Sequence, residues 1–142
     1  HMDASGPNSL GGTYTGSPTA CAAALAVFDV FKEEDILGKS QRLGDKLHER
    51  FKQWEGQFDH VANARNLGAM AAFELVESKD SHTPKPELAA AITKKAKEKG
   101  LILLSCGLFG NPIRFLMPVT IEDSVLNEGL DIVEACLVDA LT

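Results

Sequence analysis

The chain has no long hydrophobic run and no excess of positive charge, and each absence argues against a class of function. Among its 142 residues, no apolar stretch reaches the roughly 20 residues that a membrane-spanning helix needs, and no segment resembles a signal peptide. Fourteen basic residues stand against twenty acidic ones, for a formal net charge of -6. This balance argues against nucleic acid or an anionic membrane as the main partner. We therefore expect a soluble domain of the cytoplasm.

Cysteine and histidine are scarce, which argues against disulfides and metal sites. The three cysteines, Cys21, Cys106 and Cys136, are odd in number and lack metal-ligand spacing. They predict buried thiols in a reducing compartment. The four histidines have no second ligand at metal spacing. The sequence also lacks a P-loop, a dinucleotide fingerprint and a recognisable Ser/His/Asp arrangement.

A glycine-rich loop leads into a helix near the start of the chain. Gly11 and Gly12 let the backbone approach a ligand closely, Thr13 supplies a hydroxyl, and a helix begins near Pro18. Backbone N–H groups at a helix N-terminus attract anions, so the loop is a candidate phosphate-binding site. Such loops normally follow a strand, and only ten residues precede this one. We therefore expect that the loop has another role or that the chain belongs to something larger.

Hydrophobic periodicity predicts a small α/β fold. Apolar residues at three- and four-residue steps indicate four helices, over residues 17–34, 36–54, 86–99 and 120–140. Short apolar runs indicate three strands, over residues 69–76, 101–106 and 113–117. We expect the first strand to be covered on both faces, the second to be buried, and the last two to form a hairpin. The expected architecture is a small, mainly antiparallel sheet of about three strands covered by helices, preceded by two helices and an irregular N-terminal segment.

Arg114 is the outstanding polar residue of the predicted strands. Strand alternation places Arg114 and Leu116 on one face and Ile113 on the other. A guanidinium keeps its charge, so within such a strand it requires an anionic partner. Two partners remain open: a carboxylate of the chain, such as that of Glu74, or the carboxylate of a substrate.

Three sequence blocks resemble a known enzyme family. They are LGGTYTGSP at residues 10–18 with the alanine-rich residues 20–27, RNLGAM at 65–70, and GLILLSCG at 100–107 with NPIRFLMPVTIED at 111–123. In these blocks the chain resembles the C-terminal portion of the class III (fold type I) pyridoxal-phosphate aminotransferases, most closely those that act on 4-aminobutyrate. The similarity covers essentially everything after residue 2, and the third block is the most specific.

The resemblance implies a cofactor, a substrate site and a dimer. Thr13, next to Gly12, matches the family threonine that contacts the phosphate of pyridoxal 5'-phosphate held mainly by the neighbouring subunit. Arg114 matches the arginine that binds the substrate carboxylate. Asn66 stands where the family usually has glycine, and asparagine tolerates the positive φ expected there.

The resemblance also implies that the catalytic lysine lies upstream of this chain. Residues 1–16 are expected to be the end of a truncated cofactor domain, residues 17–56 connecting helices, and residues 57–142 the C-terminal small domain. None of the ten lysines matches the family's lysine motif. We therefore expect this chain alone to be inactive.

The expected reaction of the parent enzyme is transfer of the amino group of 4-aminobutyrate to 2-oxoglutarate. Two alternatives remain: another ω-amino-acid or diamine aminotransferase, and, in a different class, a non-catalytic small-molecule-binding or interaction domain. The expected partners are amino acid and 2-oxo acid substrates and a second subunit. In isolation, the first helices are expected to expose apolar surface around residues 22–31 and to self-associate through it.

Overall fold

The computed structural model describes Gly6 and residues 11–141, and the chain divides into two compact units. The first unit covers residues 1–36 and the second covers residues 37–142. Most of the irregular N-terminal segment predicted for residues 1–16 lies outside the described residues. The domain boundaries expected after residues 16 and 56 stay predictions.

The first unit contains a turn followed by helix α1 (Pro18–Glu33). Proline occupies the first turn of α1, where its missing N–H costs no hydrogen bond. The predicted helix is confirmed, but none of its residues is buried. Leu25, Phe28 and Phe31 are 66%, 64% and 42% exposed. The apolar stripe of α1 is therefore accessible, as expected for residues 22–31.

Three helices of the second unit confirm the remaining helix predictions. They are α2 (Ile36–Gln57), α3 (Pro86–Glu98) and α4 (Asp123–Leu141). The predicted apolar face of α2 is buried, from Leu43 through Leu47 and Phe51 to Trp54. No helix formed by the described residues is long and apolar enough to cross a membrane.

The sheet of the second unit has four antiparallel strands within the described residues, whereas the sequence predicts about three. They are β1 (Val61–Leu67), β2 (Met70–Leu75), β3 (Leu104–Ser105) and β4 (Pro112–Phe115), in the order β1-β2-β4-β3. β1 is not recognisable from the sequence alone, because Asn63 and Asn66 lower its strand propensity. β1 and β2 form a hairpin, with Gly68 in its turn.

Two expectations about strand burial are wrong. β2 alternates between covered and accessible residues, so it is covered on one face rather than both. Alanine occurs on both faces of β2, so the sequence does not show the alternation between buried and accessible positions. Residues 101–106 are not a buried strand: only Leu104 and Ser105 pair, and both are exposed at the edge of the sheet.

The helices of the second unit pack on one face of the sheet. Phe51 and Trp54 of α2 meet Phe73 of β2 and Phe115 of β4, with ring centroids between 4.7 and 5.8 Å apart. Such pairs contribute about 0.5–1.5 kcal/mol each beyond the burial of their area. The opposite surface, here called the open face, exposes large apolar side chains of the strands and the segments beside them: Leu67, Met70, Ile102, Leu104 and Leu116.

The cysteines differ in exposure, which corrects the expectation of three buried thiols. Cys21 in α1 is exposed, Cys106 is partly buried and Cys136 in α4 is buried. α1 has no buried face in the described residues, so a cysteine on it remains accessible.

Candidate functional site

Arg114 projects from β4 on the open face of the sheet. It is in register with Ala72 on β2 and with Leu104 on β3. Ile113 and Phe115 on either side of it are buried while Arg114 is exposed, which confirms the predicted alternation. Among the described residues, the guanidinium has no ion-pair partner. A permanent cation therefore lies on the open face without a counter-charge among the described residues.

Glu74 does not pair with Arg114. Its Oε1 atom lies 2.9 Å from the NH1 atom of Arg65 on β1, and Asn63 donates a hydrogen bond of 3.0 Å to the same oxygen. The alternative of a structural Arg114–Glu74 pair is therefore wrong. Glu74 is on the same side of β2 as Ala72, and Arg65 is in register with Ala72, so the two charged side chains are diagonal neighbours.

A shallow depression of about 360 Å³ lies on the open face between the two arginines. Its lining combines Arg65 and Arg114 with the apolar Met70 and Ala72 and the partly buried Cys106. Cations over an apolar floor suit a small organic anion, because the guanidinium binds a carboxylate through two parallel hydrogen bonds. The arrangement can hold and orient a carboxylate, and the depression contains no lysine that could act as a nucleophile.

A β-bulge in β1 shapes this face. The pairing register shifts between Ala62 and Arg65, and Asn63 within the bulge has a φ of 53°. The bulge is attached to α2, because Glu55 Oε1 accepts a hydrogen bond of 3.1 Å from the backbone N–H of Ala64. The positive φ expected at Asn66 is instead found at Asn63.

The Glu55 carboxyl is held in its charged form. Burial alone raises the pKa of Glu55, but hydrogen bonds from the Lys52 ammonium and the backbone N–H groups of Ala64 and Asn63 lower it, and the net pKa lies below its ordinary value. The Lys52 Nζ atom is 2.5 Å from Glu55 Oε2. A carboxylate acceptor strengthens the contact that secures the bulge.

Thr13 and Gly12 lie in the first unit. Both are exposed, and the backbone N–H of Thr15 donates a hydrogen bond of 3.1 Å to the Gly12 carbonyl oxygen. The Thr13 hydroxyl has no partner among the described residues. The hydroxyl and the turn beside it are therefore accessible to a phosphate. Arg114 belongs to the second unit.

Arg65, Glu55 and the bulge are not among the residues predicted from the sequence. Arg65 was overlooked because β1 was not recognised as a strand, and the bulge itself interrupts the alternation that would have indicated one. One signal was available: Arg65 lies in the block RNLGAM, three residues before the glycine of a turn. The pairing of Arg65 with Glu74 depends on the bulge, where Asn63 contacts both residues, and carries no local signal.

Comparison with known proteins shows the family. The sequence profile described as "Aminotransferase class-III" matches residues 1–137. The chain belongs to the class III aminotransferases. The 5-aminovalerate aminotransferase DavT of Pseudomonas aeruginosa is 52% identical over 95% of this chain and 32% of its own length. The probable 4-aminobutyrate aminotransferase of Bacillus subtilis is 48% identical over 96% of this chain and 31% of its own.

Solved structures show the same fold. An amine transaminase from an uncultivated Pseudomonas species, in a PLP-bound form, superposes with a TM-score of 0.80 and is 30% identical. The superposition covers 92% of this chain and 30% of that protein. The chain thus spans about a third of the length of the relatives it matches. The expected small antiparallel α/β fold of a fold type I aminotransferase is confirmed.

Proposed function

We propose that this chain is the C-terminal part of a pyridoxal-phosphate aminotransferase that moves the amino group of 4-aminobutyrate to 2-oxoglutarate. The products are succinate semialdehyde and glutamate. The single observation that carries the proposal is Arg114, a strand arginine on the open face with no anionic partner among the described residues. Both the amino donor and the amino acceptor of this reaction carry a carboxylate that Arg114 binds.

Arg114 acts by binding and orientation. Its two-pronged contact fixes the carboxylate, and the apolar lining of the depression lies against the methylene chain of the substrate. Holding one end of an ω-amino acid restricts where its amine reaches, which lowers the entropic cost of the reaction. β4 is a rigid support for this contact because Ile113 and Phe115 anchor it in the core.

Gly12 and Thr13 contact the cofactor phosphate in this proposal. The fit rests on an exposed hydroxyl without a partner among the described residues, beside a turn that precedes the N-terminus of α1. The phosphate is that of a cofactor held mainly by the second subunit of a dimer. When bound, pyridoxal phosphate supplies the electron sink for the reaction.

The residues of this chain do not include the nucleophile that carries the cofactor. All ten lysines lie on helix faces or in loops, and none is buried. An ammonium that is not buried is strongly hydrated, so nothing prepares it for attack on an aldehyde. We propose that the isolated chain is inactive. Borohydride treatment with pyridoxal phosphate is expected to leave no stoichiometric lysine adduct by mass spectrometry, whereas such an adduct would contradict this.

A second donor, 5-aminovalerate, is favoured by the 52% identity to the Pseudomonas enzyme named for it. It differs from 4-aminobutyrate by one methylene, which is worth about 10- to 200-fold in specificity at an apolar pocket. The ratio of kcat/KM for the two donors, measured on the holoenzyme that contains this chain, decides between them.

The substitution Arg114→Lys in the holoenzyme tests the proposed site. Lysine keeps the charge and loses the two-pronged contact, so KM for 4-aminobutyrate and 2-oxoglutarate is expected to rise about 10- to 100-fold. A diamine donor without a carboxylate is the matched control, since its KM should not change. Unchanged KM values for both carboxylate substrates would remove Arg114 from the site.

A further inference from the structure

Glu74 lies between two arginines and is paired with only one of them. Arg65 and Arg114 are both in register with Ala72, from opposite sides of β2. Glu74 is two residues further along β2 on the same side. It is therefore a diagonal neighbour of both arginines, about 7–8 Å from each by strand geometry, within reach of a long side chain. Sheet geometry alone favours neither partner.

In the structure, Glu74 forms its ion pair with Arg65. Glu74 Oε1 receives contacts from Arg65 NH1 at 2.9 Å and from Asn63 Nδ2 at 3.0 Å. Arg65 NH1 also donates to the Asn63 carbonyl oxygen at 2.9 Å, which holds the guanidinium in place. A pair between Arg114 and Glu74 would have only the Arg114 guanidinium, with no neighbouring group like Asn63 to hold it in place. Three mutually bonded groups on the β1 side outweigh the single group on the β4 side.

The bulge produces this asymmetry. The extra residue at the bulge turns Asn63 towards Glu74, and the hydrogen bond from Ala64 to Glu55 attaches the bulge to α2. β4 has no comparable polar residue beside Arg114, since Ile113 and Phe115 point into the core. The exposed Arg114 therefore keeps its hydrogen-bonding capacity for a ligand.

We propose that Arg65 is a positioning residue that holds Glu74 away from Arg114 and so leaves Arg114 available to the substrate carboxylate. The inference rests on the proposed role of Arg114. In the absence of Arg65, the Glu74 carboxylate turns to Arg114 and competes with substrate. Because Glu74 is on the same sheet, its effective concentration at Arg114 is high.

The first test follows Arg114 in the 142-residue chain by NMR. In Arg65→Gln, the side-chain Nε–Hε resonance of Arg114 is expected to shift as it binds Glu74. The shift should disappear in Arg65→Gln/Glu74→Gln, and Arg65→Lys should resemble the unmodified chain. Arg50→Gln is the matched control: it removes another arginine ion pair, with Asp131 and Glu134, away from this face. An unchanged Arg114 resonance in Arg65→Gln would overturn the inference.

The second test measures kinetics of the holoenzyme that contains this chain. In Arg65→Gln, KM for carboxylate substrates is expected to rise about two- to fivefold, the range of an exposed ion pair, with kcat nearly constant. The added Glu74→Gln substitution should restore KM. If the Arg114 Nε–Hε resonance shifts in Arg65→Gln but KM does not change, the proposed function of Arg114 is contradicted, while the role of Arg65 in positioning Glu74 is supported. If KM rises and Glu74→Gln does not restore it, Arg65 acts in some other way.

Discussion

Gly44 of α2 packs directly on the carbonyl of Gly68 in the β1–β2 turn. A Cβ atom built at Gly44 would lie 2.2 Å from the Gly68 carbonyl oxygen, closer than any real contact allows. Next to this contact, Ser40 Oγ accepts a hydrogen bond of 3.0 Å from the backbone N–H of Ala69. The turn of the hairpin is therefore seated on the helix, and the position of β1 and β2 depends on a residue without a side chain.

The substitution Gly44→Ala is expected to destabilise the second unit by about 2–3 kcal/mol, because a backbone atom must move to admit the methyl group. In a helix without this contact, the same change stabilises by about 0.5–1 kcal/mol. Gly56, also in α2 and with nothing within 4 Å of its built Cβ, is the matched control. Urea unfolding followed through Trp54, the one tryptophan of the sequence, measures both variants. Equal effects at the two glycines would contradict the prediction.

Glu55→Gln is expected to reduce the dependence of stability on acid pH. The pKa of Glu55 in the folded chain is below its usual value of 4.5, mainly because the hydrogen bonds to the charged form outweigh its burial. Its stabilising contribution is therefore complete above pH 4.5 and is lost as the pH falls through the lowered folded pKa.

At neutral pH, Glu55→Gln should cost about 1.5–3 kcal/mol, the range of a hydrogen bond to a charged group, and the cost should decrease in acid. Free energies of unfolding between pH 7 and pH 3 measure this change. Glu49→Gln, an exposed position on the same helix, serves as the control. A cost for Glu55→Gln that is the same at both pH values would show that the carboxylate is not the stabilising group.

Thiol labelling should separate the three cysteines. Cys21 is exposed and should react first, followed by the partly buried Cys106. Burial raises the pKa of Cys136, so both access and the thiolate fraction are low there. Mass spectrometry after timed alkylation measures each rate. Cys136 should be labelled only on unfolding and therefore faster in Gly44→Ala; labelling of Cys136 at the rate of Cys21 would contradict its burial.

The accessible stripe of α1 should make the isolated chain self-associate. Leu25, Phe28 and Phe31 form an exposed apolar surface, and its contact with water is unfavourable. Sedimentation at several concentrations should detect oligomers, and Phe28→Glu should shift them towards monomer. Thr19→Glu, a polar position of the same helix, is the control. A chain that stays monomeric at all concentrations would exclude this surface as an interface.

Most of the helical structure could be predicted from local pattern, whereas two of the strands could not. The stripe from Leu43 to Trp54 repeats every three or four residues and is buried as expected. β1 could not be predicted because a bulge at Asn63 breaks the alternation on which strand recognition depends. For residues 101–106 the apolar run predicts a buried strand, which is wrong. Leu104 lies on the open face at the edge of the sheet.

The sequence by itself determined the family, the helices and the face of β4 on which Arg114 lies, since motif, periodicity and alternation are local properties of the chain. Only the tertiary structure decided that Glu74 pairs with Arg65 and not with Arg114. That choice depends on strand order, on the bulge in β1 and on its attachment to Glu55, which are set by contacts between elements and not by the local sequence pattern. Both arginines are in register with Ala72, so the support from Asn63 at the bulge, and not the register, determines which of them is left for a ligand.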